Sequence, residues 1–266
     1  MSSDLSDARL KLRERLGAGA RYDSPAAPVA ELRYARLGTA YFARKLNELS
    51  DDELACPSLV PGWSRRHVIA HIGFQARALA RLVEAARLGR AQEVLEEPDA
   101  QNEDIDVGAS LPAHALRYLF KHSQVHLDVE WRDLNATGWR AEVEPLAGGL
   151  VGIGQTPWLR ASEIWLRAVD LDNGASLLDF PSDVVDRLLE EAAEAFALRG
   201  LPFSLALKPT DRPGSIVIGA GENMVSAPAA DLLRWLTGRG VRHGLVVGGR
   251  IEDPPFWPQP ASGVLA

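Results

Sequence analysis

Apolar residues recur at three- and four-residue spacing in several long segments of the chain, which predicts amphipathic helices. Four such segments cover residues 30–49, 65–89, 111–134 and 157–171. Gly38 interrupts the first helix at a cost of about 1 kcal/mol relative to alanine, so we expect close packing at that position. Ser64 is a favourable N-cap for the second helix. Four helices of this length predict a four-helix bundle with one long crossing connection.

The pattern changes near residue 180. Residues 181–200 predict one more amphipathic helix, and the segments "FSLALKP", "GSIVIGAG" and "GLVVGG" have the character of strands. A short helix, "APAADLLRWLTGRG", precedes the last strand. The predicted fold class is therefore mainly α with a small α+β domain. We expect an N-terminal extension at 1–29 with a short helix at 4–17, the bundle at 30–178, and the α+β domain at 179–266. Residues 92–110 are polar and acidic and predict a surface loop.

Composition limits the function classes. The chain has 266 residues and a formal net charge of -7, which argues against a dedicated nucleic-acid binder. No apolar run is long enough for a membrane span, and the charged N-terminus does not resemble a secretory signal. Cys56 is the only cysteine, so an intramolecular disulfide and a cysteine-based zinc cluster are excluded. We therefore expect a cytoplasmic protein, either a monomer or a small homo-oligomer.

The segment "WLRASEIWLRAVDL" carries the most informative charges. Glu163 and Arg167 lie four residues apart in an otherwise largely apolar helix. This order favours a helical ion pair. Because apolar residues surround the two charges, at least one of them is expected to face the bundle interior, where an unpaired charge is costly. A structural salt bridge and a functional site both remain open from this pattern.

Two further sets of residues are candidates for a functional site. His67 and His71 lie one helical turn apart, a spacing that suits metal ligands, proton carriers or structural histidines. Arg239, between two glycines at the end of a predicted helix, either complements the helix dipole or binds a substrate carboxylate at the domain junction. Asp170 near the end of the fourth helix is expected to cap or pair. The glycine-containing turns lack the spacing of a phosphate loop, and no nucleophile elbow is present.

Six segments in order carry a family resemblance: "YARLGTAYFARKL", "LVPGWSRRHVIAHIGFQARAL", "NEDI", "HSQVHLDVEWRD", "WLRASEIWLRAVDL" and "WLTGRG". Together they resemble the mycothiol-dependent maleylpyruvate isomerases of the DinB-like superfamily. The resemblance implies an N-terminal DinB-like four-helix bundle and a smaller C-terminal α/β domain. It also implies mycothiol as the thiol cofactor and a divalent metal, usually zinc, held by two histidines and a glutamate.

Carried over by position, the first histidine ligand is His71 and the glutamate ligand is Glu163. The second histidine falls on Arg167, which has no lone pair for a metal. The resemblance implies that Arg239 is a catalytic arginine, and it places Gln101 where the family has another arginine that would contact substrate. We hypothesise that Glu163 and Arg167 form a buried pair and that the standard metal site is weakened or absent.

The implied activity is a thiol-dependent cis–trans isomerisation of a conjugated enoyl carboxylate. The candidate catalytic residues are His71, Glu163, Arg167 and Arg239, and the candidate substrate contacts are Arg167, Arg239 and Gln101. Arg167 could stabilise a thiolate or hold a substrate carboxylate. The alternatives are a thiol S-transferase, a catalyst on the same scaffold that needs no metal, and a ligand-binding relative without activity. The expected partners are a small unsaturated carboxylate and a low-molecular-weight thiol.

Overall fold

The computed structural model of the chain describes residues 7–8, 11, 22–89, 105–143, 151–198, 204–241, 245–248 and 253–258. Its first half is helical, as the apolar periodicity predicts. The helices in this half are α1 (Val29–Asn47), α2 (Arg65–Arg87), α3 (Ala113–Asp133), the short α4 (Ala136–Trp139) and α5 (Thr156–Asp170). The predicted start of α2 after Ser64 is confirmed, since the backbone N–H of Ser64 donates to Nδ1 of His67 over 3.2 Å in a capping box.

Helices α1, α2, α3 and α5 pack as a four-helix bundle. The rings of Phe42 on α1 and Phe120 on α3 lie 5.0 Å apart between centroids. Helix α1 also lies against α5 at Gly38, where a Cβ atom would stand 2.8 Å from Cγ2 of Ile164 and from Nε1 of Trp165. The close approach expected at Gly38 is therefore confirmed, because any larger residue would have to displace α5.

The connections differ in part from the expected loops. Residues 105–110, which were predicted as part of a surface loop, are helical, and residues 90–104 lie outside the described part of the chain. A short strand, β1 (Glu142–Val143), pairs antiparallel with β2 (Val151–Gly152). The predicted helix at 4–17 lies mostly outside the described residues.

The last part of the chain is an α+β unit. It contains α6 (Ser182–Leu198), β3 (Leu205–Pro209), β4 (Ile216–Ile218), β5 (Asn223–Ala227), α7 (Ala229–Leu236) and β6 (Val246–Gly248). The strand order is β4-β3-β5-β6, with β3 and β5 parallel and the other neighbours antiparallel. Strand β5 was missed because it begins with an asparagine and lies between Gly221 and Pro228, and these residue types are typical of turns.

The contacts divide the chain into two units near the end of α5. The first unit comprises residues 1–57, 63–167 and 263–266, and the second comprises 58–62 and 168–262. This division lies eleven residues before the boundary that we predicted at 178. The mainly α class with a small α+β part agrees with the structure. In the described ranges, none of the helices has the length and apolar character that a bilayer span requires.

Candidate functional site

Helices α2 and α5 bring two of the predicted site residues together. His71 lies on α2 with 7% of its side chain exposed, and Glu163 lies on α5 with 15% exposed. Nε2 of His71 is 3.0 Å from Oε2 of Glu163. The two residues are 92 positions apart in the sequence, so their contact depends on the packing of α2 against α5 and not on local spacing.

Arg167 completes this cluster from the same helix as Glu163. Its Nε donates to Oε2 of Glu163 over 2.9 Å, and only 1% of the Arg167 side chain is exposed. The predicted buried pair between Glu163 and Arg167 is therefore present. A single carboxylate oxygen contacts both the imidazole of His71 and the guanidinium of Arg167.

Electrostatics within the cluster fix the charge of the acid. Burial alone would raise the pKa of Glu163, but the charge of Arg167 and the hydrogen bond with His71 lower this pKa to about 2. Glu163 is therefore ionised at neutral pH. An ionised carboxylate only accepts hydrogen bonds, so we assign the ring proton of His71 to Nε2.

His71 is consequently a neutral imidazole whose other nitrogen carries a lone pair. Burial lowers the pKa of His71 below its usual range; the bond to Glu163 opposes this change, while the charges of Arg167 and Arg160 reinforce it. Among the described residues, Nδ1 of His71 has no hydrogen-bond partner. This nitrogen is thus a proton acceptor, and Glu163 fixes its tautomer, an arrangement that suits a general base.

The indole ring of Trp63 packs against the cluster. Its ring centroid lies 5.4 Å from that of His71, and the guanidinium carbon of Arg167 is 5.9 Å from the centroid of Trp63. The indole excludes water from one side of the imidazole and stabilises the cation on Arg167 through its π face. Sequence reasoning missed this role, although "PGW" directly precedes the N-cap of α2.

Sequence reasoning also missed a second link between α2 and α5, one turn from the cluster. Nη1 of Arg160 donates to the carbonyl of Ile72 and to Oε1 of Gln75, both over 2.8 Å. Nε2 of Gln75 in turn donates to the carbonyl of Leu159 over 3.2 Å. The available signal was spacing, since Gln75 follows His71 by four residues and Arg160 precedes Glu163 by three.

The donor set does not fit a zinc ion. Zinc in catalytic sites takes three protein ligands and a water, and the cluster offers only His71 and Glu163. Arg167, on which the resemblance places the third ligand, has no lone pair for a metal. Its positively charged guanidinium also donates to the Glu163 oxygen that a dication would need. In the part of the chain that the structure describes, no group of three histidine, cysteine, aspartate or glutamate residues could hold a metal ion.

Arg239, another predicted site residue, belongs to the second unit. In the second unit, Nε and Nη2 of Arg239 donate to the two carboxylate oxygens of Asp170 over 2.7 and 2.8 Å, and both side chains are fully buried. Nη1 of Arg239 donates to the carbonyls of Thr237 and Trp257. Four of the five guanidinium N–H groups therefore have partners within that unit. Gln101 lies outside the described residues.

The chain is similar to a known family over its bundle and to solved structures over most of its length. Residues 35–172 match the N-terminal domain of mycothiol maleylpyruvate isomerase. Among solved structures, the chain is similar to a mycothiol-dependent maleylpyruvate isomerase, with 35% identity and a TM-score of 0.78. A histidine-to-alanine mutant of such an isomerase shows 34% identity and the same TM-score. Each alignment covers 86% of this chain and 96% of the other.

A search of curated protein sequences gave no significant match. The matched domain spans the bundle from α1 to the end of α5 and so includes His71, Glu163 and Arg167. The two structural relatives extend the similarity over most of the chain. This chain belongs to the mycothiol-dependent maleylpyruvate isomerase family.

Proposed function

We propose that this chain is a mycothiol-dependent isomerase of a conjugated cis-enoyl carboxylate and that it activates the thiol without zinc. Family membership supports the reaction class, because the similar solved structures are mycothiol-dependent maleylpyruvate isomerases. One observation supports the zinc-free part of the proposal: Nε of Arg167, the residue on which the resemblance places the third ligand, donates to the carboxylate oxygen of Glu163.

The residues of the cluster have separate tasks in this proposal. When bound, mycothiol supplies a sulfur that adds reversibly to the conjugated alkene, so that the carbon–carbon bond can rotate before the thiol leaves. His71 takes the thiol proton at Nδ1 and returns it at the end of the reaction. A neutral imidazole is suited to this transfer at pH 7, because an imidazolium has no lone pair to accept the proton.

Glu163 and Arg167 act through His71. The carboxylate of Glu163 accepts from Nε2 of His71, which holds the ring orientation and stabilises the positive charge that forms when Nδ1 takes a proton. Arg167 keeps that carboxylate ionised and directs its oxygen towards the imidazole. We therefore propose Arg167 as a positioning residue, whereas the sequence also predicted it as a substrate contact.

The assay compares thiol dependence with metal dependence. The full chain is purified without chelator, and maleylpyruvate isomerisation is followed with and without mycothiol, and before and after treatment with EDTA. We expect activity that requires mycothiol and is unchanged by EDTA. His71→Gln should lower kcat by about 100-fold, since a positioned general base contributes at least that factor. The matched control is His122→Gln, which changes an exposed histidine stacked on Tyr118.

Two results would overturn the proposal. Turnover without any thiol would favour a thiol-independent catalyst on the same scaffold. Loss of activity on EDTA treatment, restored by zinc, would show that the cluster works as a metal site despite Arg167.

A further inference from the structure

A group of buried hydrogen bonds joins α2 and α5 one helical turn away from the His71 cluster. Nη1 of Arg160 donates to the carbonyl of Ile72 and to Oε1 of Gln75, both over 2.8 Å. Nε2 of Gln75 donates in turn to the carbonyl of Leu159 over 3.2 Å. Each of the two side chains therefore bonds to the backbone of the opposite helix. We call these three hydrogen bonds the Arg160–Gln75 link.

The Arg160–Gln75 link fixes how α5 lies along α2. Gln75 follows His71 by four residues on α2, whereas Arg160 precedes Glu163 by three on α5. The two helices therefore run antiparallel, and the link and the His71–Glu163 contact follow one another along their interface. Apolar packing is not directional, but a hydrogen bond tolerates only a narrow range of distance and angle. The link thus holds the turn that carries His71 in register with α5.

Stability alone does not explain a cation at position 160. Arg160 and Gln75 are each 1% exposed, and no carboxylate among the described residues accepts a hydrogen bond from Arg160. Burial lowers the pKa of Arg160 to about 9, so this side chain is charged at pH 7. A buried charge with only neutral acceptors costs stability relative to an apolar residue of similar volume. A role other than stability is therefore expected for Arg160.

Arg160 acts through protein groups and not through a ligand. Its Nη1 is engaged in the link, and its Nη2 is buried and has no hydrogen-bond partner among the described residues. A bound molecule does not reach either nitrogen. The nearest chemistry that Arg160 can influence is that of His71, because Ile72, whose carbonyl it holds, directly follows His71 on α2.

We propose that Arg160 is a positioning residue that, through Ile72 and Gln75, keeps Nε2 of His71 in contact with Glu163; this role rests on the proposed function of His71 as a general base. The contact holds the ring orientation and leaves Nδ1 open to the thiol proton. Loss of the link lets α5 shift along α2, so that the base is misaligned while the groups that bind thiol and substrate stay in place.

The first measurement is an NMR spectrum of the full chain, isotope-labelled at the histidine nitrogens, which requires no turnover. The Nε2–H proton of His71, assigned by its absence in His71→Gln, should be protected from exchange and shifted downfield by its bond to an ionised carboxylate. Arg160→Met removes the charge and the donors at similar volume, and Gln75→Leu removes the other half of the link. We expect the resonance to be lost or to move upfield in both variants.

The second measurement is steady-state kinetics with mycothiol and maleylpyruvate. Arg160→Met and Gln75→Leu should lower kcat by at least about tenfold, because misalignment of a catalytic group is costly. The KM values should change by less than about twofold, since binding is not affected. The matched control is Thr156→Val, which removes a different buried hydrogen bond of α5, donated by Nε1 of Trp131 over 3.0 Å. This control should keep both the His71 resonance and kcat.

Circular dichroism shows whether each variant folds, and Gln75→Leu decides the test if Arg160→Met does not fold. An unchanged His71 resonance in a folded variant, its absence in wild type, or a change in KM alone would each overturn the positioning role. An equal loss in Thr156→Val, or failure of both link variants to fold, would show that the link serves only stability. If wild type lacks isomerase activity but its His71 resonance responds to Arg160→Met, the proposed function fails and the positioning of His71 stands.

Discussion

Nε of Arg167 donates to Oε2 of Glu163 over 2.9 Å across one turn of α5. This contact lies beside His71, where the family resemblance implies a histidine as the third ligand of a metal. The salt bridge gives the buried guanidinium of Arg167 a counter-charge, and it keeps the carboxylate of Glu163 ionised without a metal ion. The charges of Glu163 and Arg167 therefore balance each other, whereas in a zinc site the metal ion would supply the positive charge.

Replacing Arg167 by histidine should create the missing zinc site. Arg167→His supplies a third donor one turn from Glu163 and removes the charge that repels a dication, and three protein ligands are sufficient for catalytic zinc. We expect about one equivalent of zinc in this variant after dialysis, against less than about 0.1 in wild type. Metal analysis by mass spectrometry measures both, and Arg167→Gln controls for the loss of charge alone. Wild-type protein that retains one equivalent through dialysis would contradict the prediction.

Removing the negative charge of Glu163 should destabilise the first unit. Glu163→Gln leaves Arg167 buried without its counter-charge, which typically costs about 3 kcal/mol. Urea unfolding measures this loss. The control is the double variant in which Arg167→Met is added, because it removes both charges and should recover most of the stability. If the double variant is as unstable as Glu163→Gln, packing and not charge explains the loss.

The stability of the chain should depend on pH through His71. Its pKa is lowered in the folded chain from the ordinary value of 6.5, so the unfolded chain binds more protons as the pH falls below that value. The contribution of His71 is therefore complete above pH 6.5 and is lost as the pH falls towards the folded pKa. Urea midpoints between about pH 5 and pH 8 test this. His71→Gln should flatten the dependence and His122→Gln should not; equal curves for wild type and His71→Gln would refute it.

Helix positions and the identity of the central charges were predictable because they depend on local periodicity. The bounds of α2, α3 and α5 follow the apolar pattern closely, and Glu163 and Arg167 were recognisable as charges in an apolar helix. Residues 105–110 were wrongly predicted as loop because their acidic neighbours dominated the pattern.

Long-range pairings were not predictable from the sequence. Arg160 reaches Gln75 across 85 positions, and Arg239 reaches Asp170 across 69. In both cases the sequence shows the charged residue but does not show which distant element faces it. Arg239 illustrates the consequence, because the arginine for which the resemblance implies a catalytic role has an aspartate partner within its own unit.

Arg239 should therefore act mainly through the stability of the second unit. Arg239→Lys cannot make the two parallel hydrogen bonds to Asp170 and would leave that acid poorly satisfied, at a cost of about 3 kcal/mol. We expect a lower urea midpoint and activity that falls only in proportion to the unfolded fraction. The double variant Asp170→Leu with Arg239→Leu removes both buried charges and should be more stable than Asp170→Leu alone. A fall in kcat of about 100-fold in fully folded Arg239→Lys would instead make Arg239 a catalytic contact, as the family resemblance implies.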